Sequence, residues 1–479
     1  MGFLGEGKSL DGRQTSTSRT RAESVQNPWF AAAPNKRSRL SAIDGSVDLA
    51  ELDDLVLRRA SELREGDDDR VGTVAGENTI GSVMEILAHA RAERHVLVIP
   101  PKFTDYELAD AATLTTGGAH RDGPPLFNAW RGTPSGSLCG YSTSGSTGSA
   151  KVVLFTWRRE FDAAHEFASA TELGPKDTVL CTGPIAHMFP LAVGVMAPLA
   201  AGASVVLAHG RLAGDRLLEL VEQHSVSVMQ GVPLVFERVL EALHAHAPHS
   251  LRLCISAGEA ADGGLLTRWR ERSSTPLRQD WGMTETGWLS YDSIGIPGSV
   301  GLPNPGIEIR FEPVSGSDTE QRGSADGPGE IVVRGRWESQ VNSFAPDSRE
   351  VVGRPLTDQW LATGDVGFRG PRGELVITGR RDRLLSIYGH KVDPVEVEAV
   401  IEEVPGVTRC LVRLETTRAG APLLRAYVVG GPVVTTRSII DHVRARLSAH
   451  KVPADVCITD ALPELASGKL ARAASVVAR

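Results

Sequence analysis

Short apolar runs alternate with amphipathic segments along much of this chain, and this alternation restricts its fold more than any other feature. Strands are predicted at 96–99, 178–182, 204–208, 226–229 and 251–256, and helices at 157–170, 195–201, 215–223 and 234–244. Strands that alternate with helices form βαβ units. The pattern therefore predicts an α/β fold with mostly parallel sheets flanked by helices.

The residues that follow these strands indicate where a site lies. His187, Gly231 and Gly258 each come a few residues after a predicted strand, and Trp281 follows an apolar run at 277–280. In open α/β sheets, ligands bind beyond the carboxyl ends of the strands. We therefore expect these segments at one end of one sheet.

The segment from Thr143 to Lys151 combines two glycines with several hydroxyl side chains and a lysine. Glycines let backbone N–H groups approach an anion closely, while hydroxyls add donors and the lysine adds positive charge. This composition predicts a phosphate-binding segment. It is not a Walker A loop, because no lysine directly follows the second glycine of a G-x-x-x-x-G-K run.

Further motifs follow this segment in a fixed order. They are Ser256–Ala260, Asp280–Glu285, Gly298–Pro303, Pro328–Ile331, Thr363–Asp365, Gly379–Asp382 and Pro463–Lys469. Together with the phosphate segment, the set resembles the adenylate-forming superfamily, which includes acyl-CoA ligases, aryl-acid adenylating enzymes and peptide-synthetase adenylation domains. The closest resemblance is to stand-alone aryl-acid adenylating enzymes.

The resemblance implies a domain organisation. Residues 1–28, which are rich in Ser, Thr, Arg and Gly, are expected to form a flexible tail. Residues 29–380 would form the adenylation domain, with a small β-subdomain after Gly306. Residues 381–479 would form a mobile α+β cap domain.

The resemblance also implies an ATP site with Mg²⁺. Glu285 would hold the metal, which prefers oxygen ligands. Trp281 would stack on adenine, Asp365 would accept from the ribose hydroxyls, and Lys469 would bridge the carboxylate and the α-phosphate. Catalytic roles are implied for His187, Thr284, Glu285 and Lys469. The implied ATP-binding residues are Thr143, Ser144, Gly145, Ser146, Thr147, Gly148, Lys151, Gly258, Glu259, Ala260, Asp280, Trp281, Gly282, Met283, Thr284, Asp365 and Arg380.

The segment 184–191 bears on the acid. Enzymes of this superfamily that activate α-amino acids place an aspartate here, and this chain has none. Dihydroxybenzoate-activating relatives have an asparagine after the histidine, whereas Met188 cannot donate that hydrogen bond. An aryl or arylacrylic acid without a required ortho hydroxyl is therefore expected. The implied pocket residues are His187, Met188, Phe189, Val193, Met229, Gly231 and Gly282.

The second step of the superfamily transfers the acyl group to a thiol after the cap domain rotates. Asp382 would be the hinge, and Gly389, His390 and Lys391 would face the thiol tunnel. The acceptor, CoA or a carrier-protein phosphopantetheine, stays open. No carrier domain follows Arg479, so any carrier protein is expected as a separate chain.

Composition excludes several function classes. A net charge of −8 does not favour a nucleic-acid binder, and no apolar run approaches the roughly 20 residues of a membrane span. The five cysteines form no C-x-x-C pair, so buried thiols and a cytoplasmic location are expected. The sequence does not decide between a monomer and a dimer.

Two other functions remain open. Some members of the superfamily use ATP to activate nitrite and diazotise an aromatic amine, and the same nucleotide site would serve. The chain could also bind a nucleotide without turnover. The presence of Lys469, Glu285 and Asp365 argues against this last possibility.

Overall fold

The computed structural model describes residues 38–65, 72–101, 137–144, 150–210, 212–243, 248–259, 261, 263–313, 328–344, 351–356, 358–381, 385–387, 390–392, 394–416, 422–447 and 451–462. The predicted tail, 1–28, lies outside these ranges. Among the described residues, no helix combines the length and the apolar character needed to cross a membrane.

Ten α-helices are present in the described part of the chain. In chain order they are α1 (Leu49–Glu65), α2 (Ile80–Arg91), α3 (Trp157–Ala170), α4 (Met188–Leu191), α5 (Ala197–Ala200), α6 (Gly214–Gln223), α7 (Pro233–Ala242), α8 (Gly263–Arg272), α9 (Pro394–Glu402) and α10 (Thr436–Arg444). A π-helical turn, Ala192–Met196, joins α4 to α5.

The described strands number twenty-four. They are β1 (Arg39–Ala42), β2 (Gly45–Asp48), β3 (Gly72–Ala75), β4 (Val96–Ile99), β5 (Leu138–Ser144), β6 (Ala150–Thr156), β7 (Thr178–Cys181), β8 (Ser204–Leu207), β9 (Val228–Gly231), β10 (Leu253–Ser256), β11 (Leu277–Met283), β12 (Gly287–Tyr291), β13 (Leu302–Pro303), β14 (Glu308–Glu312), β15 (Gly329–Arg334), β16 (Ser339–Phe344), β17 (Val351–Pro355), β18 (Leu361–Arg369), β19 (Leu375–Arg380), β20 (Leu385–Ile387), β21 (His390–Val392), β22 (Val407–Thr416), β23 (Pro422–Gly430) and β24 (Asp455–Ile458).

The largest sheet has nine strands in the order β13-β12-β11-β10-β9-β7-β8-β1-β2. The neighbouring strands from β1 to β11 in this order run parallel, and antiparallel pairs occur only at the two ends. This sheet confirms the predicted α/β fold. It also places the ends of β7, β9, β10 and β11 at one edge, because parallel strands share their carboxyl edge.

Two hydrophobic cores lie on opposite faces of this sheet. Cys181 and Val228 belong to the first core, whereas their chain neighbours Leu180 and Met229 belong to the second. This division follows from the two-residue alternation of side chains along a strand. On β7, β9 and β10, the core that a side chain joins therefore tells which face of the sheet it occupies.

The second sheet has six strands in the order β17-β16-β6-β5-β4-β3. Strands β14, β15, β18 and β19 form a separate antiparallel sheet, as expected for the β-subdomain. Residues 339–355 differ from that expectation, because β16 pairs with β6 and β17 with β16, so both strands join the six-stranded sheet. Strand patterns in the sequence show which residues are extended, but they do not show which edge accepts them.

The segment after 381 contains the β20–β21 hairpin and a three-stranded sheet of β22, β23 and β24. Helices α9 and α10 bury Val397 and Ile439 in a core of its own with Leu424. This is the α+β composition that was expected. The domain boundary at 380/381 stays a prediction.

Two segments near the site have other bounds than predicted. The helical segment begins at Met188 rather than 195, and β9 ends at Gly231 rather than 229. Within that segment, Pro198 has no N–H to donate to the carbonyl of Gly194, which fits a π-helical turn there. The cysteines confirm their prediction: all five are free, four are buried, and Cys457 is partly exposed.

A buried carboxyl group predicts a pH-dependent stability. Glu160 is 4% exposed, and burial raises its pKa to about 7 although the Tyr141 hydroxyl donates to it over 2.9 Å. The unfolded chain loses this proton near pH 4.5, so the folded state binds more protons between about pH 4.5 and 7. We expect the free energy of unfolding to fall by about 3 kcal/mol across this window as pH rises.

Chemical denaturation at several pH values checks this expectation. Glu160→Gln keeps an acceptor for Tyr141 and cannot ionise, so its stability should be flatter between pH 4.5 and 7. The exposed carboxylate of Asp162, on the same helix, provides a control in Asp162→Asn. An equal slope in the wild type and Glu160→Gln would contradict the prediction.

Candidate active site

The carboxylate of Asp365 lies between two donors from different parts of the fold. The indole N–H of Trp281 donates to Oδ2 over 2.7 Å, and Nη1 of Arg380 donates to Oδ1 over 3.1 Å. Trp281 lies on β11, whereas Asp365 and Arg380 face each other across β18 and β19. The structure thus brings the predicted adenine and ribose segments into contact.

The local chain explains why Asp365 has a fixed orientation. Its backbone N–H donates to the hydroxyl of Thr363 over 3.0 Å, and that hydroxyl donates to the carbonyl of Ile331 over 2.8 Å. Gly364 has a φ of +76°, and a Cβ there would lie 2.7 Å from Nη2 of Arg380. Glycine is therefore required for the close approach of Arg380.

Trp281 is only 6% exposed and belongs to the first core. A large part of its ring is therefore already packed, and its indole N–H is already bonded to Asp365. Its predicted stacking on adenine stays a prediction. The hydrogen bond to Asp365 is a contact that the sequence did not reveal.

The turn after β11 supplies two side chains suited to phosphate and metal. Thr284 and Glu285 are partly exposed, and within the described residues neither side chain makes a hydrogen bond or ion pair. The hydroxyl of Ser339 donates to the backbone carbonyl of Glu285 over 2.8 Å, which ties the turn to β16. Gly282 is needed before this turn, because a Cβ there would lie 2.4 Å from the carbonyl oxygen of Gly287.

The predicted phosphate segment begins at the end of β5 and ends on β6. Thr143 and Lys151 are paired across these two strands. Lys151 is partly exposed and makes no ion pair with any described carboxylate. Its ammonium group is therefore available to an anion.

The side chain of Asn78, in the turn after β3, makes hydrogen bonds that hold the backbone before His187. Nδ2 of Asn78 donates to the carbonyls of Gly183 and Ala208 over 2.9 and 2.6 Å, and its Oδ1 accepts from the N–H of Ile185 over 3.0 Å. A Cβ at Gly76 would lie 2.5 Å from Cα of Ala186. Asn78 and Gly76 therefore fix the backbone that presents the exposed His187.

Asn78→Ala is expected to lower the free energy of unfolding by about 2–4 kcal/mol, because the carbonyls of Gly183 and Ala208 and the N–H of Ile185 each lose a hydrogen bond. It should also raise the KM for the acid, since the segment of His187 loses its support. Chemical denaturation and steady-state kinetics measure the two effects. Asn304→Ala, which removes a single bond to the carbonyl of Trp288, is the matched control. Equal stability losses in both variants would contradict this role of Asn78.

The predicted acid pocket divides between the two faces of the sheet. Met188, Phe189 and Val193 pack on the first core. Met229 is fully buried in the second core with Phe236, so the structure does not bring it together with Val193. Met229 was assigned to the pocket only through the family resemblance, and that role stays a prediction.

Gly231 and Gly258 lie at the carboxyl edge as expected. A Cβ at Gly231 would lie 2.7 Å from Oγ1 of Thr182, and Gly258 has a φ of +82°. The backbone N–H of Ala257 donates to the carbonyl of Gly231 over 3.0 Å, which joins the two turns. Glu259 and Met283 are partly exposed.

Several predicted site residues cannot be placed. Gly145, Ser146, Thr147, Gly148, Ala260, Asp382, Gly389 and Lys469 lie outside the described residues, as do the side chains of Thr143, Ser144, His390 and Lys391. Within the described residues, no group of three or more His, Cys, Asp and Glu side chains could hold a metal ion. A lone carboxylate such as Glu285 fits Mg²⁺, which takes few protein ligands when phosphates supply the others.

A contact beside the hinge motif was also not anticipated. Nη1 of Arg381 donates to Oε2 of Glu330 over 2.6 Å, and the side chain of Glu330 is only 4% exposed. Arg381 is the last described residue before the predicted hinge. The Pro328–Ile331 and Gly379–Asp382 motifs are thus joined by an ion pair.

Two family models match the chain. The model for AMP-binding enzymes matches residues 141–340, and the model for the C-terminal domain of AMP-binding enzymes matches residues 396–469. Together they cover more than half of the chain and include most of the motifs that define the site.

Individual proteins agree with the family models. The chain is 31% identical to a sulfoacetate–CoA ligase of Cupriavidus necator and 30% identical to a 2-succinylbenzoate–CoA ligase of Bacillus subtilis, each over 69% of this chain. These matches cover 65% and 66% of the relatives' own lengths, which is less than two thirds. ATP-bound MatB from Rhodopseudomonas palustris has a similar fold, with a TM-score of 0.74, 22% identity, and coverage of 92% of this chain and 95% of that one.

Proposed function

The chain belongs to the family of AMP-binding enzymes, and from this premise we propose that it activates a carboxylic acid with ATP. The acid carboxylate attacks the α-phosphate, an acyl-AMP forms, and pyrophosphate leaves. Transfer of the acyl group to a thiol follows, with release of AMP. The observation that carries the proposal is the carboxylate of Asp365, which two hydrogen bonds from Trp281 and Arg380 hold in place. In this position it would accept hydrogen bonds from the ribose hydroxyls, next to the adenine segment that contains Trp281.

The described side chains divide the work of the first step. Asp365 positions the ribose, which fixes the α-phosphate relative to the acid. Lys151 offers positive charge to the phosphates, and Thr284 offers a hydroxyl donor. Glu285 would hold Mg²⁺, which offsets the negative charge on the phosphates as pyrophosphate departs.

Lys469, predicted to act in the first step, and Asp382, the predicted hinge of the cap, lie outside the described residues. Lys469 would neutralise the charge that develops between the carboxylate and the α-phosphate. Asp382 would allow the cap to rotate, so that the segment of His390 and Lys391 replaces the lysine during thiol transfer. The Arg381–Glu330 ion pair lies next to this pivot and anchors its amino-terminal side.

We assign an aryl or arylacrylic acid as the substrate class. The pocket segment carries Met188 and Phe189, which pack beside Val193 on the first core and give an apolar wall. No aspartate occurs in 184–191 to pair with an α-ammonium group. A relative with the name 2-succinylbenzoate–CoA ligase supports an aromatic acid. CoA is the favoured acceptor, because both relatives are named CoA ligases.

Pyrophosphate release tests the proposal. Benzoic, cinnamic, aminoaryl and fatty acids are offered with ATP and Mg²⁺, with and without CoA. We expect acid-dependent pyrophosphate release with at least one aromatic acid, and AMP release that accelerates when CoA is added. ATP cleavage between the β- and γ-phosphates, or no cleavage with any acid, would refute the proposal. A strict requirement for nitrite and an aromatic amine would assign the diazotase reaction instead.

A further inference from the structure

Two buried side chains near the acid pocket have an oxygen atom without a hydrogen-bond partner. They are Gln230, through Oε1, and Asp280, through Oδ1, and no described residue bonds to either atom. Gln230 is 1% exposed and Asp280 is 7% exposed. A buried polar atom without a partner costs free energy, and native structures rarely retain one without a reason.

Both side chains lie on the face of the nine-stranded sheet that carries the apolar pocket wall. Ile255 on β10 is in register with Gln230 on β9 and with Arg278 on β11, and Asp280 lies two residues after Arg278 on the same face of β11. Residues in register on neighbouring strands share a face, and Ile255 belongs to the first core. Val193 belongs to the same core, so the two polar side chains occupy the sheet side of the predicted pocket.

The amide of Gln230 has a defined orientation. The thiol of Cys181 donates to the carbonyls of Gly183 and Pro190 at 3.6 Å each, so its sulfur is left to accept from Nε2 of Gln230 at 3.0 Å. A Cβ at Gly194 would lie 2.4 Å from this Nε2, which places the amide against the π-helical turn. Oε1 of Gln230 is therefore an acceptor without a described donor, on a side chain that lies against this turn.

Burying the carboxyl group of Asp280 costs more free energy than burying the amide of Gln230. Burial raises the pKa of its carboxyl well above the ordinary range, and a hydrogen bond from the backbone N–H of Trp281 only partly opposes this rise. No described Arg, Lys or His forms an ion pair with Asp280. A ligand that donates a hydrogen bond to Oδ1 would give this buried oxygen the partner it lacks.

We propose that the acid activated by this chain carries an amino group away from its carboxylate, and that Asp280 accepts a hydrogen bond from this group. Gln230 supplies a second acceptor on the same wall. This inference rests on the proposed function and narrows its substrate class to amino-substituted aryl or arylacrylic acids. An amino group has two N–H hydrogens for the two unpaired acceptors, Oδ1 of Asp280 and Oε1 of Gln230, whereas a hydroxyl group has one hydrogen.

The assignment changes the role of Asp280, which the sequence resemblance placed among the ATP-binding residues. An acid-binding role predicts an altered preference among acids with an unchanged KM for ATP. An ATP-binding role predicts the reverse. The two roles are therefore separable in one set of kinetic measurements.

The experiment compares kcat/KM for pyrophosphate release with benzoic and cinnamic acids, their ring-amino derivatives and their ring-hydroxy derivatives. We expect the best amino derivative to exceed its unsubstituted parent by at least about 10-fold in the wild type, because a site built to bond an N–H rejects analogues that lack it. Asp280→Ala and Asp280→Asn should reduce this ratio to near one. Gln230→Leu should reduce it less, and Asp162→Asn, exposed on α3, is the matched control for an Asp substitution.

A direct binding measurement keeps the proposal testable when a variant folds poorly or turns over slowly. Calorimetry with the amino derivative, without ATP, should show at least about 10-fold weaker binding to Asp280→Asn than to the wild type, with circular dichroism confirming the fold. A preference for the parent or hydroxy acids in the wild type would overturn the inference while leaving acid activation intact. So would a raised KM for ATP in Asp280→Asn with an unchanged acid preference. Failure of every acid to release pyrophosphate would refute the proposed function instead, and the binding comparison would still test Asp280.

Discussion

Lys469→Ala is expected to slow acyl-AMP formation by about 10²- to 10³-fold while the Kd for ATP changes little. The reason is that Lys469 is proposed to bond to the carboxylate and α-phosphate as charge develops between them. Removing one preorganised donor to such charge costs roughly 3–4 kcal/mol in the transition state. An interaction that is strong only in the transition state lowers kcat without weakening ground-state binding.

Single-turnover formation of acyl-AMP measures the loss, and calorimetry with a non-hydrolysable ATP analogue measures binding. Lys176→Ala removes an exposed lysine outside the proposed site and serves as the control. Lys469→Arg keeps the positive charge but changes the donor geometry, so we expect only a partial recovery. Pyrophosphate exchange at nearly the wild-type rate in Lys469→Ala would remove this lysine from the mechanism.

Asp365→Ala is expected to weaken ATP binding by about 10²-fold. The variant loses a charged acceptor for the ribose hydroxyls, and it also leaves the Trp281 indole N–H and the Arg380 guanidinium without their shared partner. Hydrogen bonds to charged groups contribute about 1.5–3 kcal/mol each, which corresponds to the expected loss. The KM for the acid, measured at saturating ATP, should change much less.

Two milder variants separate the contributions at this position. Asp365→Asn keeps the shape and one acceptor, so its loss should be smaller than that of Asp365→Ala. Trp281→Phe keeps an aromatic ring and removes only the N–H donor, so it tests whether the indole bond orients Asp365. Calorimetric Kd values for ATP measure both effects. Wild-type ATP affinity in Asp365→Ala would contradict the ribose-binding role and weaken the proposed function.

The sequence was most informative where backbone chemistry restricts the choice of residue. The glycines of the motifs are examples: Gly282, Gly364 and Gly231 each stand where a Cβ would collide with a neighbouring atom. The alternation of apolar runs likewise predicted the parallel part of the nine-stranded sheet, because βαβ units admit few arrangements. Such local constraints can be recognised without knowing which segments meet.

Contacts between distant segments could not be predicted in this way. Nothing local to Trp281 indicates that its N–H bonds to Asp365, 84 residues later, and nothing local to Asn78 indicates that it supports the backbone before His187. The return of β16 to β6 belongs to the same class. Each depends on the packing of whole layers, which brings together residues that are far apart in the chain.

The face of a strand on which a side chain lies was also hard to predict from the sequence. Met229 and Gln230 are adjacent, and the family resemblance placed only Met229 in the pocket. The structure buries Met229 in the second core and turns Gln230 toward Cys181 on the first. Because side chains alternate strictly along a strand, a boundary must be known before a face can be assigned.

The sequence by itself determined the family, the α/β class and the order of the nucleotide motifs, because each depends on residue types at fixed spacing. Only the tertiary structure decided that Asp365 is held between Trp281 and Arg380, and that Asp280 and Gln230 each keep one buried oxygen without a described hydrogen-bond partner. The physical reason is that hydrogen bonding and burial are properties of neighbours in space. A chain of 479 residues fixes those neighbours only when its sheets and helices pack.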